Sequence, residues 1–334
     1  MRVFDLHCDT IDALAFRDLA ELQLPHVEPS EDLGANAGLA LSLERMRAVA
    51  QKGWAQCFAI FVPDALPDGR SPHAFYQEAR AYFQDQLAQH PEQVVQVRDA
   101  RQVGEIEAQG KVAALLTIEN GSPAEGKLER VEEWARDGVK MVTLTWNGAT
   151  CIGSGHDTQE GLTAFGREVV RTMEELRVVV DISHLNDVGF WEVARMARRP
   201  FAASHSNARA VCGHLRNLSD DMFRALRDAG GITGLNYYVD FVAEHAWDAQ
   251  LGTPAKDVSA DELFAHVDHW LDLDGADAIA LGSDFDGCDC PSWLARAQDL
   301  PAFHRLAEAR YGTELAEKLF HGNAEAFFVR NETA

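Results

Sequence analysis

Hydrophobic residues along this chain fall into short β-branched runs separated by longer amphipathic stretches, the rhythm of βα units around a parallel sheet. The apolar runs are "RVFDLH" from Arg2, "AQCFAIFV" from Ala55, "VAALLTIE" from Val112, "VKMVTLTW" from Val139, "RVVVDISH" from Arg177, "FAASH" from Phe201, "GITGLNYY" from Gly231 and "AIALGSD" from Ala278. Between them, stretches such as "LALSLERMRAVAQKG", "HAFYQEARAYFQDQLAQH", "KLERVEEWARDG", "LTAFGREVVRTMEEL" and "SDDMFRALRDAGG" carry helical spacing, and several end in the glycine that often closes a helix. Eight strands each followed by helix predict an α/β fold, a (β/α)8 barrel, and 334 residues suit one such domain over 1–334. An open doubly wound sheet fits less well, because nothing like G-x-G-x-x-G follows the first strand. From about residue 292 the pattern predicts further helices packing on the barrel, with no second domain.

Barrel enzymes place their chemistry at the C-terminal ends of the strands. Here those ends read His7 and Asp9, Glu119, His184, His205 and Asp284. Any one of them alone reads equally as a hydrogen-bonded core histidine or a strand-end carboxylate. Together they are harder to explain structurally, since several buried ionisable groups converging without compensation cost several kcal/mol per unpaired charge. A bound cation supplies the compensation. His7 and Asp9 are two residues apart and point the same way from an extended segment, with Cys8 facing the opposite side as a bystander. Three imidazoles and two carboxylates exceed what one catalytic zinc uses, which predicts two ions bridged by Glu119. Such a pair can hold a hydroxide and polarise a carbonyl, as amide hydrolysis requires. Asp284, in "GSDFDG", is placed to act as general base and then to protonate the leaving amine. Asp286 reads as the cap of that turn. Asp5 and Asp181 read either as partners orienting the ligand histidines or as polar members of the barrel layers.

Charge narrows the partners. The formal net charge is −23, from 30 basic and 53 acidic side chains, and no basic stripe interrupts it. Nucleic acid and anionic membrane surfaces are disfavoured as partners. No run approaches the roughly 20 apolar residues of a membrane span, and "MRVFDLHCDT" turns polar too early for a signal peptide, so a cytoplasmic protein is expected. Six cysteines without framework spacing agree with a reducing compartment. The "CDC" at 288–290 lacks the second pair that structural zinc usually takes.

The ordered set "DLHCDT", "TIENG", "VTLTW", "DISH", "SHSNARAVCGHLRN" and "GSDFDG" resembles the renal or membrane dipeptidases, zinc-dependent members of the metal-hydrolase barrels, over essentially the whole chain. The resemblance implies a soluble, bacterial-type dipeptidase with two Zn2+ per subunit, acting on small dipeptides, L,D-dipeptides included. It implies a first metal on His7, Asp9 and Glu119, a second on Glu119, His184 and His205, and Asp284 as acid/base. It also implies that Arg216, in "HLRN", binds the substrate carboxylate, which suits an arginine's planar fork. Relatives are commonly homodimers. One departure stands out, since Trp146 occupies the place of a family histidine after the fourth strand. An indole N–H donates a hydrogen bond but cannot accept one or become charged. The downstream His156 is a substitute for that histidine or a solvated loop residue, and Asn120 and Ser122 stand where many relatives have Gly-His.

Two other functions are weighed against this one. Other amidohydrolase barrels, acting on cyclic amides, N-acyl amino acids or nucleobases, typically start with H-x-H and use a carboxylated lysine on strand four as bridge. Here the first motif is H-C-D, and Lys140 lies at the start of its strand, the wrong end of the barrel. A non-catalytic barrel with structural metals would have no need of Asp284 and Arg216.

Overall fold

A computed structural model of the chain describes residues 1–19, 27–66, 69–246 and 257–333. Among the described residues there are nine parallel strands: β1 (Val3–Asp5), β2 (Trp54–Phe61), β3 (Val94–Gln96), β4 (Val112–Glu119), β5 (Val139–Thr143), β6 (Val179–Asp181), β7 (Ala202–Ala203), β8 (Ile232–Leu235) and β9 (Ile279–Leu281). Eight of them form a closed ring, because β2 pairs with β4 along its whole length and β1 pairs with β9. This is the expected (β/α)8 barrel. The ninth, β3, is a short strand that the apolar pattern did not announce. It pairs only with the first three residues of β4, below the point where β5 takes over at Leu116.

Apart from β2 and β4, the strands are shorter than the apolar runs from which they were read. Only Glu119 is the last residue of its strand; His7, Asp9, His184, His205 and Asp284 lie in the turns just beyond. The backbone leaves the ladder there by entering left-handed conformations, with φ of 73° at Asn120, 67° at His184, 61° at Asp284 and 69° at Asp286. Asn, Asp and His tolerate this region better than other side chains, yet each such residue stores about 1–3 kcal/mol that the surroundings must offset.

Helices cover the outside, several opened by a capping side chain: Ser71 for Pro72–Gln89, Thr163 for Ala164–Glu175, Asn186 for Asp187–Met196 and Ser259 for Ala260–Asp272. The expected C-terminal helices are Leu300–Tyr311 and Asn323–Thr333, the first preceded by short 3-10 turns where continuous helix was expected. Helix Asn323–Thr333 seals the N-terminal end of the barrel. Phe328 stacks on Phe4 with centroids 5.4 Å apart, and buried Glu332 pairs with Lys140, which fixes Lys140 far from the strand C-termini. With that end closed, the opposite end carries the polar groups.

Candidate active site

Glu119 stands at the centre of the open end. Its Oε1 lies 2.8 Å from His184 Nε2 and 3.9 Å from His205 Nε2, and its Oε2 lies 3.2 Å from His7 Nε2. His7 Nε2 also lies 3.5 Å from Asp9 Oδ2 and 3.9 Å from Asp284 Oδ1. Six side chains from five strand ends thus meet in one place, all the expected ligands plus the expected acid/base. Cys8 points into the apolar layer, its thiol donating to the Cys57 carbonyl, as its alternate position requires.

The donor set suits divalent cations. His184 Nδ1 pairs with Asn147 Oδ1 at 2.9 Å and His205 Nδ1 pairs with Ser204 Oγ at 2.6 Å, so both Nε2 atoms turn inward, 3.0 Å apart and beside a carboxylate. Burial, followed by the nearby Arg216 and His7 charges, holds both imidazoles neutral, well below the ordinary histidine range. Neutral imidazole is the form that binds a metal. Asp9 Oδ1 is buried without a hydrogen-bond partner, another mark of an atom that awaits a cation. His7, Glu119 and His205, and likewise His7, Asp9 and Asp284, each offer three ligand atoms within 4.8 Å of one another.

Burial, reinforced by the Asp9 and Glu119 carboxylates, pushes the Asp284 carboxyl up to about 7, while Asn236 Nδ2 donates to its Oδ2 at 3.0 Å and leaves Oδ1 toward the cluster. Asp286 faces away from the cluster and fastens the surrounding loops, accepting from Thr10 Oγ1 at 2.6 Å and from the Ala40 amide at 2.6 Å.

Arg216 is buried beside the cluster. Its Nη1 donates to Ser206 Oγ at 3.0 Å and its Nη2 to the His205 carbonyl at 3.1 Å, while Nε has no partner. Its guanidinium sits 5.4 Å over the Phe241 ring. Trp146 packs edge-on against Phe61 at 5.0 Å and lies 6.2 Å from the His184 ring. Phe61 is in register with Glu119 on the neighbouring strand, which brings this aromatic pair to the same end of the barrel as that carboxylate. His156 also stands beside His184, 6.1 Å between rings, with Nδ1 buried and unpartnered. Burial and the Arg216 charge lower it to about 3, which keeps it neutral. Asn120 does not reach the cluster; its amide bonds the Val62 carbonyl at 2.7 Å and Asp64 at 3.1 Å, bracing the turn after Glu119.

Sequence reasoning passed over Asn147, Ser204 and Asn236. The first two adjoin residues it did single out, Trp146 and His205, and a polar residue next to a ligand or pocket residue is the signal that could have found them.

A parallel barrel whose strand ends bring three imidazoles and a set of carboxylates into one buried cluster defines a metal-dependent hydrolase. The chain belongs to the membrane dipeptidase family (peptidase family M19), whose sequence profile matches residues 1–330. It is a metallo-dipeptidase. Among solved structures, it is similar to dipeptidase AC, a metallopeptidase of the same family, with 28% identity, a TM-score of 0.88 and coverage of 100% of this chain and 99% of that one. It is also similar to a metallopeptidase of Rhodobacter sphaeroides crystallised with a phosphinate mimic of the dipeptide L-Ala-D-Ala, with 27% identity, a TM-score of 0.87 and coverage of 99% of each chain. An uncharacterized dipeptidase of Schizosaccharomyces pombe is 30% identical over 184 residues, 53% of this chain and 42% of that protein. No helix among the described residues is long and apolar enough to cross a membrane.

Proposed function

We propose that the protein is a dinuclear zinc dipeptidase that accepts L,D- as well as L,L-dipeptides, and that its 334 residues act as one unit. His7, Asp9 and Glu119 would hold one ion, and Glu119, His184 and His205 the other. The observation that carries this reading is Glu119, whose two carboxylate oxygens face histidines from three other strand ends. Bound divalent ions supply Lewis acidity, polarising the scissile carbonyl and lowering the pKa of water.

The remaining roles fall to the chain's own side chains. Arg216 takes the substrate's C-terminal carboxylate through its free Nε–H and the outer faces of its fork, with Ser206 and the His205 carbonyl holding it in place. This anchor requires a free carboxylate one residue beyond the scissile bond, which selects cleavage at a carboxy-terminal residue. Asp284 Oδ1 accepts a proton from the attacking water and returns it to the leaving amine. Its Oδ2 is held by Asn236 while Oδ1 stays toward the cluster, which suits it to both halves of that transfer. The Trp146 indole N–H and the neutral His156 are donors for the carbonyl oxygen where relatives use a histidine. The Rhodobacter sphaeroides relative, crystallised with an L-Ala-D-Ala mimic, supports acceptance of a D-residue at the C-terminal position. Six free thiols support the reducing cytoplasm as its compartment.

The Asp284→Asn variant tests the assignment. Its metal content should equal that of the parent while kcat for a dipeptide falls by about 10²–10⁴-fold. Unchanged turnover would remove Asp284 from the reaction.

A further inference from the structure

Two buried carboxylates outside the ligand set occupy equivalent places on opposite sides of the barrel. On one side, Asp5 closes β1. Its Oδ1 accepts from the Ser283 amide at 2.8 Å and the His7 amide at 3.5 Å, and its Oδ2 accepts from Ser283 Oγ at 2.6 Å and Gln56 Nε2 at 3.1 Å. On the other side, Asp181 closes β6. Its Oδ1 accepts from the Ser183 amide and the Ser204 amide, both at 2.9 Å, and its Oδ2 accepts from Thr143 Oγ1 at 2.8 Å.

The residues they grip are the telling part. Ser283 directly precedes Asp284, and Ser183 directly precedes His184, and both of these following residues turn left-handed, at φ 61° and 67°. Ser204 directly precedes His205, and the His7 amide belongs to a ligand itself. Neither aspartate touches an imidazole. Each ties its own strand to both neighbours, Asp5 joining β1 to β9 and, through Gln56, to β2, and Asp181 joining β6 to β7 and, through Thr143, to β5, at the point where those strands hand over to the site.

Resting on the two-metal reading above, we propose that Asp5 and Asp181 are positioning residues, each clamping one half of the cluster: Asp5 the half with His7, Asp9 and Asp284, and Asp181 the half with His184 and His205. The reason is geometric. A left-handed turn places its side chain correctly only while the preceding peptide is held, and a charged acceptor buried among N–H donors holds a peptide more firmly than a neutral one. The arrangement makes the two halves separately sensitive. Loss of one clamp relaxes one pair of strand ends and leaves the other closed.

The test uses the full-length protein loaded with zinc, and in parallel with cobalt(II), comparing Asp5→Asn and Asp181→Asn with the parent. Metal content is measured after equilibration at buffered free metal, and the cobalt spectrum reports which ligand set remains. Asp5→Asn is expected to weaken the one-histidine site by about 10–100-fold and leave the two-histidine site filled, and Asp181→Asn the reverse. Ser283→Ala and Thr143→Val remove single hydrogen bonds to the same carboxylates, so each should give a smaller loss at the same site and cover the case in which an aspartate variant does not fold. Variants that melt earlier yet keep parental affinity at both sites would overturn the proposal, since the aspartates would then only stabilise the barrel. So would equal weakening of both sites. Metal content is read without dipeptide turnover, so a protein that shows the site-selective loss but hydrolyses no dipeptide would refute the function and leave the clamps standing.

Discussion

Gly287 follows the "SDFD" turn, and its Cα sits against two carboxylates of the site. A Cβ at this position would fall 1.9 Å from Asp9 Oδ2 and 2.9 Å from Asp284 Oδ1, whereas real Cβ contacts essentially never come below 3.0 Å. The glycine is not in the left-handed region, so alanine meets no backbone penalty, and the collision falls on Asp9. Relief needs a carboxylate shift of at least about 1 Å. Displacements of that size at a reacting centre cost on the order of 10²-fold, or about 2.7 kcal/mol of transition-state stabilisation. Gly287→Ala should therefore lower kcat/KM for a dipeptide by about 100-fold and weaken one metal equivalent. Gly104→Ala is the control, since its Cβ meets nothing nearer than 3.8 Å inside a helix. The assay is steady-state hydrolysis alongside metal content and thermal unfolding. If Gly287→Ala kept parental kcat/KM and two bound metals, the close approach of Asp9 to this turn would be wrong, and with it the placement of the His7 half of the cluster.

Two further outcomes follow from the same geometry. Arg216→Lys replaces a fork by a single ammonium, and losing one charged hydrogen bond of about 1.5–3 kcal/mol should raise KM about 10–100-fold with little change in kcat, as initial rates over a dipeptide concentration series would show. His266 is fully buried, accepting from the Ala208 amide at 3.1 Å and donating to the Val242 carbonyl at 2.9 Å, and burial lowers it to about 4 from an ordinary 6.5. The unfolded chain therefore binds the proton first, and stability present above about pH 6.5 is lost on descending to about pH 4, by roughly 3 kcal/mol. Denaturant titrations of parent and His266→Gln across that window should show the steeper acid loss only in the parent.

The barrel was legible because its strands are buried on both faces and read as continuous apolar runs, such as "VAALLTIE". The ligands were legible because ionisable residues recur at the ends of those runs. Other features depend on which segments meet once the ring closes. The strand β3 is three residues long and pairs only with the start of β4, so nothing local marks it. Asn147, Ser204 and Asn236 act through hydrogen bonds to residues on other segments or to a neighbouring ring, and their side-chain types are common in loops. The two readings left open for Asp5 and Asp181 could not be separated along the chain. Both carboxylates bond backbone amides of adjacent strands, contacts that exist only in the closed barrel. The expectation that His7 and Asp9 end a regular strand failed for a related reason: β1 stops at Asp5, where that carboxylate begins to bind the neighbouring turn.

The most direct test of the central claim is amino-acid release from a panel of L,L- and L,D-dipeptides, one tripeptide and one N-acetylated amino acid, with zinc-loaded protein, with and without chelator. Chelator-sensitive cleavage confined to the dipeptides is the predicted result. Release from the N-acetylated amino acid with the dipeptides untouched, at two bound metals per chain, would contradict it and reassign the barrel to another amidohydrolase reaction.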